Sequence, residues 1–322
     1  MGNQILKDIE TIATNQARNI VLDYAKGFAI ILIVIYHTYG YCGQNVGSIV
    51  NSFCYTVQIP IFIYVSGLLS GKHQSQNINI KKKAIRLLVP FLFFYIIWCI
   101  ININNLYDFI QDEFKGGYWF TLVLFEMMVM LSLSNYLSDK HNINVTYMQI
   151  VIFIILSLYV FFTPKGNIIN TLLSINLLWH YSPFFYLGIY SYKLETFLKK
   201  KHIIIYGSIF LLSQYLFFFY DNRLLTPVCN LFSLLFFITL FNNGIRLFEN
   251  TISYIGKYSL QIYLIHFFVL HYFAKYIPLL SSRFVEFFLY IVFSFVTIFF
   301  IIGLSKIVMR YKWVRLVCFG IK

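Results

Sequence analysis

Apolar runs recur along the chain from residue 20 to residue 306, each closed by a short polar or basic break. Ten of them span 20–40, 49–71, 87–105, 117–137, 146–163, 170–191, 203–220, 224–242, 255–275 and 284–306. Each comes close to the roughly 20 residues a helix needs to cross a hydrocarbon core. None shows the alternation of a transmembrane strand, so the pattern predicts helices, which satisfy their own backbone polar groups in lipid. The sixth run, with Asn176, His180, Ser182 and Pro183, is the least apolar. Every connection is short, and no tandem or inverted repeat is evident.

Composition agrees with this reading. The chain is 59% hydrophobic and only 11% charged, more apolar surface than a soluble domain can hide. The net charge of +13 invites a nucleic-acid partner, but its distribution argues for topology instead. With the N-terminus in the cytoplasm, Lys115, Lys165, Arg223, Lys275 and Arg283 fall outside and the other twenty basic residues inside. That bias supports an even number of spans. The expected fold is an all-α polytopic membrane bundle of about ten transmembrane helices with both termini cytoplasmic, and no nucleic acid is bound. A polar cytoplasmic segment (1–19) precedes the membrane domain (20–306), and a basic cytoplasmic tail (307–322) follows. The first span is read as an uncleaved anchor.

The first span carries chemistry that a plain anchor would not. In "VLDYAKGFAIILIVIYH", Asp23, Lys26 and His37 stand among apolar residues. Eleven residues of α-helix return to within about 20° of the starting direction, so Lys26 and His37 share a face about 16 Å apart along the axis. Asp23 and Lys26, three apart, can pair. Charged groups at membrane depth cost about 2.5–3.5 kcal/mol each and are expected to face a cavity or a partner. Glu126 raises the same question in the fourth span. The five cysteines have no metal or redox spacing, and neither a metal signature nor a glycine-rich phosphate loop occurs. No metal and no permanently bound cofactor is expected.

The opening span resembles that of membrane-bound acyltransferase family 3, in which Leu-Asp is followed by a basic residue, ten residues and then His; Lys26 and His37 have that spacing. Further segments resemble the family in order: "VQIPIFIYVSGLL" (57–69), "KKKAIRLLVPFLFF" (81–94), "GYWFTLVLFE" (117–126), "YSPFFYLGIY" (181–190) and "IGKYSLQIYLIHFF" (255–268). One departure stands out. The family's cytoplasmic loop has two arginines separated by two residues, and here Lys83 stands in the place of the first, before Arg86. Lys83 keeps the charge without the planar bidentate fork.

The resemblance implies an O-acetyltransferase that moves an acetyl group from cytoplasmic acetyl-coenzyme A to a hydroxyl of a glycan or lipid-linked glycan. It places the protein in the bacterial cytoplasmic (inner) membrane, surrounded by lipid and open to homo-oligomerisation. His37 is the expected catalytic group, either as a base for the acceptor hydroxyl or as a nucleophile forming an acyl-imidazole. Glu126 is the second catalytic candidate. Lys83 and Arg86, flanked by Lys81 and Lys82, are expected to meet the donor's phosphates, while Asp23 and Lys26 hold a cavity mouth or the donor, Lys26 suiting a phosphate or a pantetheine carbonyl. Trp119, His266 and Ser259 are candidates for acceptor binding or support, against readings as an interfacial ring (Trp119) and helix packing (His266). His180 and His271 read as interfacial. The competing readings are a secondary transporter or flippase for an envelope precursor, or an acyltransferase using another acyl-coenzyme A.

Overall fold

The computed structural model describes residues 2–42, 49–71, 79–102, 111–164, 166–220, 225–277 and 283–321, with side chains described from Ile20 onward except those of Asn102 and Arg283. The basic loop residues Lys72, His73, Lys165 and Arg223, residues 103–105 of the third expected span, Leu224 of the eighth, and Lys322 lie outside the described residues.

The described residues are mostly helical, with no strand among them. In chain order the helices are α1 (Gly2–Cys42), α2 (Ile49–Gly71), α3 (Ile80–Asn102), α4 (Trp119–His141), α5 (Val145–Phe162), α6 (Ile168–Leu172) and α7 (Ile175–Ile189). They continue with α8 (Ile203–Tyr220), α9 (Thr226–Asn242), α10 (Glu249–Lys257), α11 (Ser259–Phe273), α12 (Arg283–Val308) and α13 (Lys312–Phe319).

Seven described stretches are long and apolar enough to cross a membrane: Ile20–Cys42, Ile49–Gly71, Ile80–Ile101, Trp119–His141, Val145–Phe162, Lys200–Tyr220 and Phe284–Val308. The other three expected runs are apolar but not continuous long helices. The run 170–191 is split between α6 and α7 at Ser174, whose φ of 49° is left-handed. Its hydroxyl donates to the Glu113 carbonyl at 2.6 Å, which fixes the break. The run 255–275 is interrupted at Tyr258, between α10 and α11. The described part of the run 224–242 forms α9, an apolar helix of 17 residues. Hydropathy registers composition and not a single non-helical residue, so these interruptions leave no trace in it. Apolar side chains face outward on several spans, with Phe161 81% and Ile204 79% exposed, as a lipid solvent requires. The protein is a multi-pass membrane protein.

The chain forms two compact units, Met1–Val65 with Tyr192–Ile302 and Ser66–Ser191 with Gly303–Lys322. In the first, the span of α1 is largely enclosed, with Ala25, Ala29, Ile30 and Val34 buried. Its turn from Asp23 to Gly27 meets α10 backbone to backbone. A Cβ on Gly27 would stand 1.9 Å from the Ile252 carbonyl oxygen, and one on Gly256 1.8 Å from that of Asp23. Only glycine at both positions permits this approach. Tyr24 donates to the Leu247 carbonyl at 3.1 Å beside the same contact. Further along, the Ser294 hydroxyl of α12 donates to the Thr38 hydroxyl at 2.9 Å, and the Tyr290 hydroxyl reaches the Cys42 carbonyl at 3.0 Å. Helices α2, α8 and α9 are joined through Thr56, which donates to Gln214 at 2.8 Å and whose carbonyl accepts from Ser233 at 2.9 Å.

In the second unit α4 and α5 are connected by a sharp reversal, with Asn142 left-handed at φ 54° and the Asn144 side chain capping α5 through the Thr146 N–H. The segment before α4 is unusual. Lys115, Gly116 and Gly117 all have positive φ, and the Asp112 carboxylate gathers the N–H groups of Phe114 and Gly116.

Candidate functional site

The first unit holds an imidazole pair. His37, on α1, is half-buried, and its ring lies edge-on to Phe267 at 4.6 Å and 5.2 Å from the ring of His266. No hydrogen bond to either His37 nitrogen is found among the described residues. His266, on α11, is fully buried. Its Nδ1 lies 2.7 Å from the Tyr263 carbonyl and 3.0 Å from the Ile262 carbonyl. Carbonyls only accept, so the tautomer assigned from these neighbours carries its hydrogen on Nδ1 and leaves Nε2 as an acceptor. That Nε2 is buried and without a partner among the described residues. An unmet buried acceptor costs about 1–3 kcal/mol, a cost that a proton donor arriving beside it would relieve.

Helical periodicity explains why α1 brings His37 here. Lys26 and His37 share a face, and the Lys26 ammonium pairs with Asp23 at 2.5 Å, both side chains about a quarter exposed. The expected ion pair thus forms, in the turn where the Asp23 carbonyl meets Gly256. Ser259 shares a unit and a helix with His266 but sits about 10 Å earlier along the axis, at the first residue of α11. The structure therefore brings His37 and His266 together, and places Asp23–Lys26 and Ser259 elsewhere on the same two helices.

The second unit holds the remaining candidates. Lys81, Lys82, Lys83 and Arg86 occupy the first two turns of α3, Arg86 exposed and Lys83 partly covered. Trp119 opens α4 and stacks on Tyr181 at 5.4 Å with an 18° interplanar angle. Glu126 follows two turns later, about 10 Å along the axis. Both its carboxylate oxygens are buried with no hydrogen-bond partner among the described residues. His180 lies within α7, beside Tyr181 at 4.7 Å.

One residue here stands out in the sequence only as a loop cation. Lys115 is completely buried, and its ammonium donates to the Thr171 carbonyl at 2.8 Å. Burial pulls its ammonium below the usual lysine range, while the charges of Asp112, Glu113 and Glu126 oppose that pull. Lys115 is thus an electrostatic partner of Glu126. The signal available in the sequence is "KGGYWF", where two glycines after a lysine permit the left-handed turn that folds it inward.

A family model described as an acyltransferase domain matches residues 19–304. No curated protein and no solved structure matches the chain.

Proposed function

The chain belongs to membrane-bound acyltransferase family 3, and from that premise we propose that it is an O-acetyltransferase working from His37. The donor is acetyl-coenzyme A, and the acceptor is a hydroxyl of a cell-envelope polysaccharide or its lipid-linked precursor at the bacterial cytoplasmic membrane. The observation that carries the reading is the placement of His37 beside His266, whose buried Nε2 is an unmet acceptor.

A neutral imidazole can take the proton of the acceptor hydroxyl as that oxygen bonds to the thioester carbonyl carbon. The C–S bond breaks, and the proton leaves with the coenzyme thiol. In the covalent variant a His37 nitrogen first displaces the thiol, and the acceptor oxygen then displaces the imidazole. In either case an acceptor at His266 Nε2 suits a hydrogen on one His37 nitrogen, which leaves the other nitrogen's lone pair for chemistry. His266 is then a positioning residue.

The other assignments follow from charge and place. Lys83 and Arg86 would hold phosphates, and Lys26 with Asp23 the donor's arm. Glu126, with Trp119 at the start of its helix, would serve the acceptor, as Ser259 would from α11.

The test is transfer by purified protein in nanodiscs, read as an acetyl mass gained by the isolated glycan acceptor and as coenzyme thiol released. His37→Ala should abolish both while leaving the protein folded and in the membrane. Wild-type rates in that variant would end the proposal.

A further inference from the structure

The matched acyltransferase region ends at residue 304, but the chain continues into an ordered helix, α13. Its sequence, "KWVRLVCF", is amphipathic. Phe319 is fully buried, and Arg315, one turn earlier, lies within about 40° of it around the axis. Trp313 lies about 200° from Arg315 and is 77% exposed.

The far end of the helix is pressed onto α3. Gly320 closes α13 with a left-handed φ of 62°, and its N–H donates to the Leu316 carbonyl at 2.8 Å. A Cβ at Gly320 would stand 2.5 Å from the Arg86 Cα and 2.6 Å from the Ile85 carbonyl oxygen. The C-terminal helix is therefore docked where α3 carries Arg86, with Lys83 one turn before it.

No ion pair is found at this junction among the described residues. Neither α3 nor α13 contains an acidic residue. The ion pairs found among the described residues, Asp23–Lys26 and Arg246–Glu249, both lie in the other unit. Lys83 and Arg86 repel each other across one helical turn. The Arg315 Nε is buried and has no hydrogen-bond partner among the described residues. Arg315 stands about 7.5 Å along the axis before the Gly320–Arg86 contact, so an unmet buried donor and a helix start bearing Lys83 and Arg86 come to one junction. Both lack one component, an anion with several acceptor oxygens. A phosphate ester has that form, and guanidinium groups match it in a bidentate way.

We propose that α13 and the start of α3 form a phosphate-ester site in which Arg315 joins Lys83 and Arg86 to hold the phosphates of the acyl donor. This rests on the acetyl-coenzyme A reading above. A lipid headgroup carries the same phosphate chemistry, and the outward Trp313 suits the bilayer interface. The side opposite Trp313 carries Arg315, which assigns Arg315 to the donor.

The experiment uses the full-length protein in two kinds of nanodisc, zwitterionic lipid alone and zwitterionic lipid mixed with anionic phosphatidylglycerol. Calorimetry measures binding of acetyl-coenzyme A and of acetyl-pantetheine, which has the thioester arm without the phosphates. Arg315→Gln should weaken acetyl-coenzyme A binding about tenfold or more in both lipids and leave acetyl-pantetheine unchanged. Arg315→Lys should restore part of the loss. Because Gln could perturb folding, Gly320→Val offers a second route: by lifting α13 from Arg86 it should give the same selective loss. Equal affinities for wild type and Arg315→Gln would overturn the proposal. So would a loss seen only in anionic discs, which gives Arg315 to lipid, or a loss shared equally by acetyl-pantetheine, which makes its role structural. Wild-type protein that binds no acetyl-coenzyme A in either disc sinks the donor reading itself, and this proposal with it.

Discussion

Gly256→Ala is the smallest change that tests how α1 is held. The added methyl carbon would stand 1.8 Å from the Asp23 carbonyl oxygen and 2.9 Å from the Gly27 nitrogen. Ordinary contact begins near 3.4 Å, so α10 must retreat by about 1.6 Å at this point. Both obstacles are backbone atoms of a buried helix, so no side chain can swing aside. Retreat also loosens the Tyr24–Leu247 hydrogen bond and the Ser253–Ile20 contact, at 3.1 and 3.4 Å. Forced overpacking costs about 1–3 kcal/mol where side chains can adjust, and here that range is a lower bound. At about 2–4 °C per kcal/mol, the midpoint of thermal unfolding in nanodiscs should fall by several degrees at least. Gly303→Ala is the matched control. It lies in α12, has nothing within 4 Å of where the added methyl carbon would stand, and should be neutral or slightly stabilising. Equal midpoints for wild type, Gly256→Ala and Gly303→Ala would refute the claim that α1 and α10 meet backbone to backbone.

Four further outcomes are expected. His266→Phe should cut the turnover number by about tenfold or more, with little change in the KM for acetyl-coenzyme A, and His266→Gln should recover part of it by presenting an acceptor; an unchanged turnover number in His266→Phe removes the positioning role. Lys115→Met should destabilise the protein by about 1–3 kcal/mol, because the Thr171 carbonyl loses its donor and Glu126 its nearby positive charge. A double-mutant cycle with Glu126→Gln should show coupling of about 0.5–3 kcal/mol, and additivity within error means that the two charges do not sense each other. The Lys115→Met deficit should also depend on pH. Burial lowers the folded-state value of Lys115, so between that value and about 10.4 the unfolded chain binds a proton that the native one does not. Wild-type stability therefore gains from rising pH across that window relative to Lys115→Met, and a difference that stays constant up to pH 10 excludes the buried ammonium as its cause.

What could be read from the sequence follows from what a single helix determines. Asp23, Lys26 and His37 lie on one continuous helix, so their common face and the ion pair follow from spacing alone. The membrane class follows from composition in the same direct way. His266 entered through resemblance, and its approach to His37 belongs to the packing of α11 on α1, which no local spacing encodes. Gly27 and Gly256 are ordinary where they stand in the chain and meaningful only as a pair. Lys115 was hidden because hydropathy treats a lysine between spans as solvated, whereas a left-handed turn and the Thr171 carbonyl draw it inside. The left-handed Ser174 and the kink at Tyr258 are single-residue events inside apolar runs. The segment 307–322 reads as a basic tail because α13 is too short and too charged for a span, although Leu316 and Phe319 already mark an apolar stripe.

These placements also sort the cations by what they can still bind. Lys26 is neutralised by Asp23 in its own helix, in a turn fixed by the contact of Asp23 with Gly256. A lysine so engaged has little net charge left for a phosphate, and drawing it away would leave Asp23 unpaired and partly buried. Lys83, Arg86 and Arg315 have no acid on their own elements, and one of their donors is buried and unmet. Electrostatics therefore favours these three over Lys26 for a multiply charged group such as a phosphate ester, and leaves Lys26 suited to a neutral acceptor such as an amide carbonyl. Resemblance treats Lys26 and Arg86 alike, as basic residues at family positions. Their surroundings separate them, because a cation's capacity for a ligand depends on the charges already beside it.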